Sequence, residues 1–220
     1  MKIFVVIPAW NEAERIRPVL ESLISLPYEL VVVDDASSDD TYQIVSQYPV
    51  SLLRHRVNRG QGAALQTGND YALSKGADII VHFDADGQFL VEEIKDIIEP
   101  LINNQADIVF GSRFLAKKSQ MPWLKEKIYF PIAKLVNRVL LGIKSSDPQS
   151  GFRAMSRETA QRIQIMHDEY AHCSEIIAKA FNYKLRIKEV PMTVIYRDFG
   201  QGFSGGVKIL KDLLFSKIIK

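Results

Sequence analysis

Five short apolar runs alternate with helix-patterned stretches through the first half of the chain, and no other feature restricts the fold as much. The runs are KIFVVI (2–7), ELVVVD (29–34), VSLLR (50–54), DIIVHF (78–83) and DIVFG (107–111). Successive side chains on a strand point to opposite faces, so runs that are apolar throughout predict strands covered on both sides. Strands of that kind, separated by helices, build a mostly parallel, doubly wound, Rossmann-like α/β sheet. Helices are expected near 12–25, 39–47, 61–75 and 91–104, which gives βαβ units of ordinary length. Beyond residue 111 the pattern is less regular. A helix is expected near 125–141, then a turn-like SSDPQSGFR, a helix near 171–181 and a β-rich LRIKEVPMTVIYR.

Open parallel sheets bind ligands beyond the carboxyl ends of their strands. The polar clusters of this chain fall there. Strand one runs into Pro8-Ala9-Trp10-Asn11-Glu12, strand two into the acidic, hydroxyl-rich 34–41, and strand three into Asn58-Arg59-Gly60-Gln61-Gly62. Strand four ends in Asp84-Ala85-Asp86-Gly87-Gln88 and strand five in Gly111-Ser112-Arg113. Each cluster alone could be a turn or a helix cap. Five at successive strand ends point to one site. Asp84 and Asp86, two apart, would converge on one point, where two carboxylates repel unless a cation or a shared proton lies between them. A hard divalent cation held by two carboxylates and phosphate oxygens answers that need. The glycines of GQGAALQTG follow the third strand and Leu65 stands where a third fingerprint glycine would be, which argues against a nicotinamide cofactor. Gly60 and Gly62 are expected to let a helix start approach another nucleotide ligand.

Composition excludes some partners. With 28 basic and 26 acidic residues the net charge is +2, so no strong field points to nucleic acid. The single cysteine excludes an internal disulfide and suits a reducing compartment. The apolar run at the N-terminus is short for a secretory signal, and no stretch reaches the ~20 apolar residues that span a bilayer. A cytoplasmic protein, working at the inner face of a membrane, is the expectation.

PAWNE, VVVDDASSDDT, NRGQGAALQTG, DADGQ, GSRF and DPQSGFR, in this order, resemble the inverting glycosyltransferases of family 2. Within that family the pattern is similar to the dolichyl- and polyprenyl-phosphate sugar synthases. The resemblance implies a GT-A fold over residues 1–220 as one domain, with a nucleotide-sugar-binding half (1–113) and an acceptor-side half (114–220). It implies a GDP- or UDP-linked sugar donor and Mg²⁺ or Mn²⁺. Pro8, Asn11 and Glu12 would line the nucleotide pocket and Asp35 would face the base. Asp84 and Asp86 would bind metal and diphosphate, with Gln88 as a further ligand and Asp86 central to catalysis. Two other classes share parts of the pattern: a donor-binding protein without activity, and phosphohydrolases that carry DxDG on their first strand.

Arg113 offers a planar, permanently charged fork to a phosphate oxygen. A lipid-phosphate acceptor is already ionised and needs no base. A sugar hydroxyl, as in envelope polysaccharide synthesis, needs a carboxylate to take its proton, and Asp147 and Glu175 are the candidates. Asp147, Ser150 and Arg153 are the polar residues of the acceptor-side DPQSGFR loop. Lys117, Lys118, Lys125, Lys127 and Lys134, interleaved with Trp123, Tyr129 and Phe130, suit a headgroup phosphate or peripheral membrane contact. The apolar, basic tail VKILKDLLFSKIIK suits the same contact. The four histidines lack a metal-ligand spacing and are expected in structural or surface roles, with a site role for His172 beside Glu175 as a lesser alternative.

Overall fold

The structure is a computed structural model that describes residues 1–115, 145–168 and 171–195. The described residues form one seven-stranded sheet. Its strands are β1 (Ile3–Ala9), β2 (Glu29–Asp34), β3 (Ser51–Arg54), β4 (Ile79–His82), β5 (Ile108–Ser112), β6 (Arg153–Ser156) and β7 (Ile187–Pro191). Their order is β3-β2-β1-β4-β6-β5-β7. β6 runs antiparallel to both of its neighbours, β4 and β5, and the other six strands are parallel. The five predicted strands are present. β6 begins at Arg153, the last residue of the expected turn, and runs on to Ser156, where no strand was expected.

Helices α1 (Ile16–Leu23), α2 (Thr41–Val45), α3 (Gln61–Ser74), α4 (Ile94–Ile102), α5 (Arg157–Arg162) and α6 (His172–Asn182) cover the sheet. Alternating strand residues sort into two cores. Val5, Ile7, Val32, Val81 and Phe83 face Ile16, Leu20, Leu23, Ile94 and Ile97 on α1 and α4. Phe4, Val6, Val31, Ile80 and Met155 face Leu65, Ala72, Ile176 and Ile177 on α3 and α6. A fully buried aliphatic side chain contributes about 1.5–3 kcal/mol, so both faces are needed to hold the sheet. α3 lies close on β1 because Gly68 has no Cβ, which would sit 2.2 Å from Val6 Cγ1.

α1 starts four residues later than the expected 12. The reason lies in backbone bonding. Asn11 N–H donates to Ser37 Oγ, Glu12 N–H to Thr41 Oγ1 and Ala13 N–H to Asp39 Oδ2. Asn11 takes a left-handed φ of 55°, so the chain leaves β1 as a loop bound to the end of β2 before it can wind. The helix expected at 125–141, the lysines at 117–134 and the tail lie outside the described residues. Among the described residues no helix is long and apolar enough to cross a membrane.

Candidate active site

β1, β2 and β4 end at one edge of the sheet, and their polar continuations meet there. Asp84 leaves β4 two residues after His82. Gly87, at a φ of 71°, turns the chain, and Asp86 Oδ1 accepts the Gln88 N–H at 3.0 Å. Asp84 Oδ1 accepts from Gln61 Nε2, at the start of α3, at 2.8 Å. The DPQSGFR loop closes on the other oxygen: a Cβ on Gly151 would lie 2.7 Å from Asp84 Oδ2.

Burial pushes the Asp84 carboxyl up to about 7, the Asp86 charge and the Cys173 sulfur add to this, and Arg153 and His172 oppose it. Glu12 is likewise pushed up to about 7, by burial first and then by Asp86 and Asp39, although Arg15 pulls it down across a 2.7 Å contact. Three carboxyls thus crowd one strand edge and resist ionising together. A hard divalent cation fits this donor set. Two protein carboxylates are what Mg²⁺ commonly takes when a diphosphate supplies further oxygens. Among the described residues no group of three or more His, Cys, Asp or Glu is arranged to hold a metal by itself.

The end of β2 divides its two aspartates between jobs. Asp34 is structural, pairing with Arg54 Nε at 2.9 Å and accepting from Ser37 N–H. Asp35 is buried, and its carboxylate accepts the Arg59 and Gly60 N–H groups at 2.9 and 2.6 Å and contacts His55 Nδ1 at 2.6 Å. It therefore fixes the NRG turn against β2. Pro8 lies in β1 opposite Val33, and Asn11 Oδ1 accepts the Ser38 N–H. Gly60 has a φ of 98°, which favours glycine. Gly62 is glycine for a different reason: a Cβ would lie 2.0 Å from the His167 carbonyl oxygen. The close approach there is to the chain itself.

Arg113 and Asp147 are brought together at the end of β5. Arg113 Nε and Nη2 each donate to an Asp147 oxygen at 2.6 Å, a bidentate pair with Asp147 1% exposed. Asp147 orients the guanidinium, and both its oxygens are engaged. Glu175, the other proposed base, accepts the Met166 and His167 N–H groups and Lys179 Nζ. Burial alone would raise its pKa, but these bonds outweigh it and hold the carboxyl below the usual range. Two other loop residues are internal. Ser150 is buried, its hydroxyl donating to the Phe152 carbonyl.

Arg153, read from the sequence as an acceptor-side residue, is 0% exposed, and its charge acts on Asp84. Paired with His82 across β4 and β6, it donates through Nε to the Gly151 carbonyl and through Nη2 to Cys173 Sγ at 3.2 Å. The Cys173 thiol is driven up by burial but, more strongly, down by His172 and Arg153, to about 6. His82 bonds Asn69 Oδ1 at 2.9 Å, and burial, Arg153 and His172 hold it well below its usual pKa as a neutral ring. Sequence reasoning missed this polar layer and the Gln61 bond. Gln61 stood inside a quoted motif weighed only for its glycines.

Residues 4–164 match the sequence model of the family described as Glycosyl transferase family 2. The chain belongs to glycosyltransferase family 2. It is a glycosyltransferase. A UDP-N-acetylglucosamine–dolichyl-phosphate N-acetylglucosaminyltransferase of Methanococcus voltae is 34% identical over 99% of this chain and 97% of that protein. A dolichol-phosphate mannosyltransferase of Pyrococcus furiosus is 33% identical over 97% of this chain and 62% of its own length. The family 2 chain also superposes on glucosyl-3-phosphoglycerate synthase from Mycobacterium tuberculosis in complex with Mn²⁺, UDP and glucosyl-3-phosphoglycerate. The TM-score is 0.74 at 22% identity, covering 97% of this chain and 78% of the other. The fold of this family 2 transferase is accordingly GT-A.

Proposed function

We propose that this transferase is metal-dependent and inverting, and that it moves a sugar from a UDP- or GDP-linked donor to a polyprenyl phosphate at a membrane surface. The observation that carries the choice of acceptor is the occupancy of the two carboxylates expected to serve as bases. Asp147 is committed to Arg113, and Glu175 to backbone amides and Lys179. An acceptor that arrives ionised needs neither. The dolichyl-phosphate transferases among the relatives support the same acceptor class.

In this reading Asp84 and Asp86 hold the cation, with Gln88 beside them, and Gln61 fixes the Asp84 rotamer. A bound divalent cation neutralises charge on the departing diphosphate. Asp35, Asn11 and the NRG turn frame the nucleoside. An acceptor phosphate oxygen forms its bond to sugar C1 from the face opposite the donor, the bond from C1 to the diphosphate oxygen breaks, and nucleoside diphosphate leaves. Arg113, oriented by Asp147, places positive charge where the anionic groups meet. The lysines at 117–134 and the basic tail supply the membrane contact.

Calorimetric titration with UDP and with GDP, with and without Mn²⁺, tests the donor half of the proposal. We expect metal-dependent binding of one nucleotide that Asp86→Asn abolishes while the circular dichroism spectrum is unchanged. Unaltered, metal-responsive binding in Asp86→Asn would overturn the metal assignment.

A further inference from the structure

We propose that Glu175 is a positioning residue for the nucleotide-binding turn, acting through the segment 164–168. The proposal rests on the donor site placed above at Asp35 and Gly60. The segment bridges α3 and α6. On the α3 side, Gln66 Oε1 accepts the Ile165 N–H at 2.6 Å, and Gly62 N–H donates to the Asp168 carbonyl at 2.7 Å. On the α6 side, Glu175 accepts the Met166 N–H at 3.0 Å and the His167 N–H at 2.9 Å, while Lys179 pairs with the same carboxylate at 2.6 Å. Lys179 also donates to the Gln164 carbonyl.

A carboxylate that accepts two backbone amides and an ammonium makes charge-assisted bonds, roughly twice as strong as neutral ones. The segment is therefore held firmly from α6. Its other face leaves no slack against α3, because His167 O fills the space that a Gly62 Cβ would occupy. Gly62 is two residues from Gly60, whose N–H donates to Asp35 Oδ2 at 2.6 Å. A continuous path thus runs from Glu175 through His167 and Asp168 to Gly62, Gly60 and the Asp35 carboxylate. Loosening the α6 end lets the start of α3 drift and moves the amides that set Asp35. Glu175 touches no reacting atom in this account. Its effect falls on donor affinity.

The test measures the Kd for uridine and guanosine diphosphate with Mn²⁺, donor KM, kcat and Tm for the wild type and for E175A, E175Q, G62A and D35A. E175A and G62A weaken the favoured diphosphate about tenfold, the equivalent of one lost charge-assisted bond, and raise KM more than they lower kcat. E175Q, which keeps one acceptor oxygen, loses less. Should E175A fail to fold, E175Q and G62A probe the same path from its two ends. A lower Tm with unchanged Kd in E175A and G62A, while D35A binds weakly, overturns the positioning role and leaves the donor site standing. Loss of kcat at unchanged Kd in E175A also overturns it, because that result marks a proton-transfer role. Normal binding by D35A removes the donor-site reading and this proposal with it.

Discussion

Consider Asp84→Asn in metal-free protein. The Asp84 carboxyl stands at about 7 against an ordinary 3.8, through burial first and the Asp86 charge second. About three pH units at 1.36 kcal/mol each set a ceiling of roughly 4 kcal/mol on the cost of ionising it in the folded state. The Asp84 side chain keeps some contact with solvent, which screens its charge, so we halve this to about 2 kcal/mol. The folded state binds the proton more tightly than the unfolded chain. Stability is therefore intact below pH 3.8 and falls as pH rises to about 7, with the full loss above that. Asparagine removes the charge and keeps a carbonyl oxygen for Gln61 Nε2. At 2–4 °C per kcal/mol for a chain of this size, the variant melts about 4–8 °C above the wild type at pH 8, relative to their difference at pH 4. Thermal unfolding followed by circular dichroism in chelator reads this directly. Mn²⁺ at a hundred times its Kd then adds about 2.7 kcal/mol to the wild type alone and narrows or reverses the order. A gap that does not change with pH, or a less stable Asp84→Asn at pH 8 without metal, would refute the reasoning.

Two further perturbations follow from single contacts. Asp147→Asn and Arg113→Ala should each reduce transfer sharply, and their double mutant should lose little more, leaving a coupling of about 1–3 kcal/mol in a double-mutant cycle on kcat/KM; additive losses would separate the two residues. Gly68→Ala drives a methyl to within 2.2 Å of Val6 Cγ1 and should cost about 1–3 kcal/mol in urea unfolding, with donor affinity unchanged.

The parallel half of the sheet was legible because β1, β2, β4 and β5 carry mostly apolar runs that both cores accept, while β3, SLLR at the sheet edge, is only partly buried. β6 was not legible. Its sequence RAMS holds an arginine that is fully buried, and its partners β4 and β5 lie some 40–75 residues earlier in the chain. Local pattern reports neither the burial nor the pairing. The strand ends marked in the sequence come together at one edge, where Asp86 acts on both Asp84 and Glu12. Individual roles were harder to read, because a carboxylate's partner decides what it can do. Asp147 and Glu175 are candidate bases in the sequence, and in the structure one holds an arginine and the other a backbone segment. Arg153 was read as an acceptor-side residue and is fully buried, its charge acting on Asp84. Gly62 looked like room for a ligand, and its space faces His167.

The account is tested most directly by the fate of the sugar. The protein would be incubated with Mn²⁺, radiolabelled UDP- or GDP-linked sugar and vesicles containing a polyprenyl phosphate, and the label in the organic extract counted. The account predicts lipid-soluble label with one of the two donors, lost with chelator and in Asp86→Asn. Label confined to water-soluble glycan, or lipid label that Asp86→Asn retains in full, would contradict it.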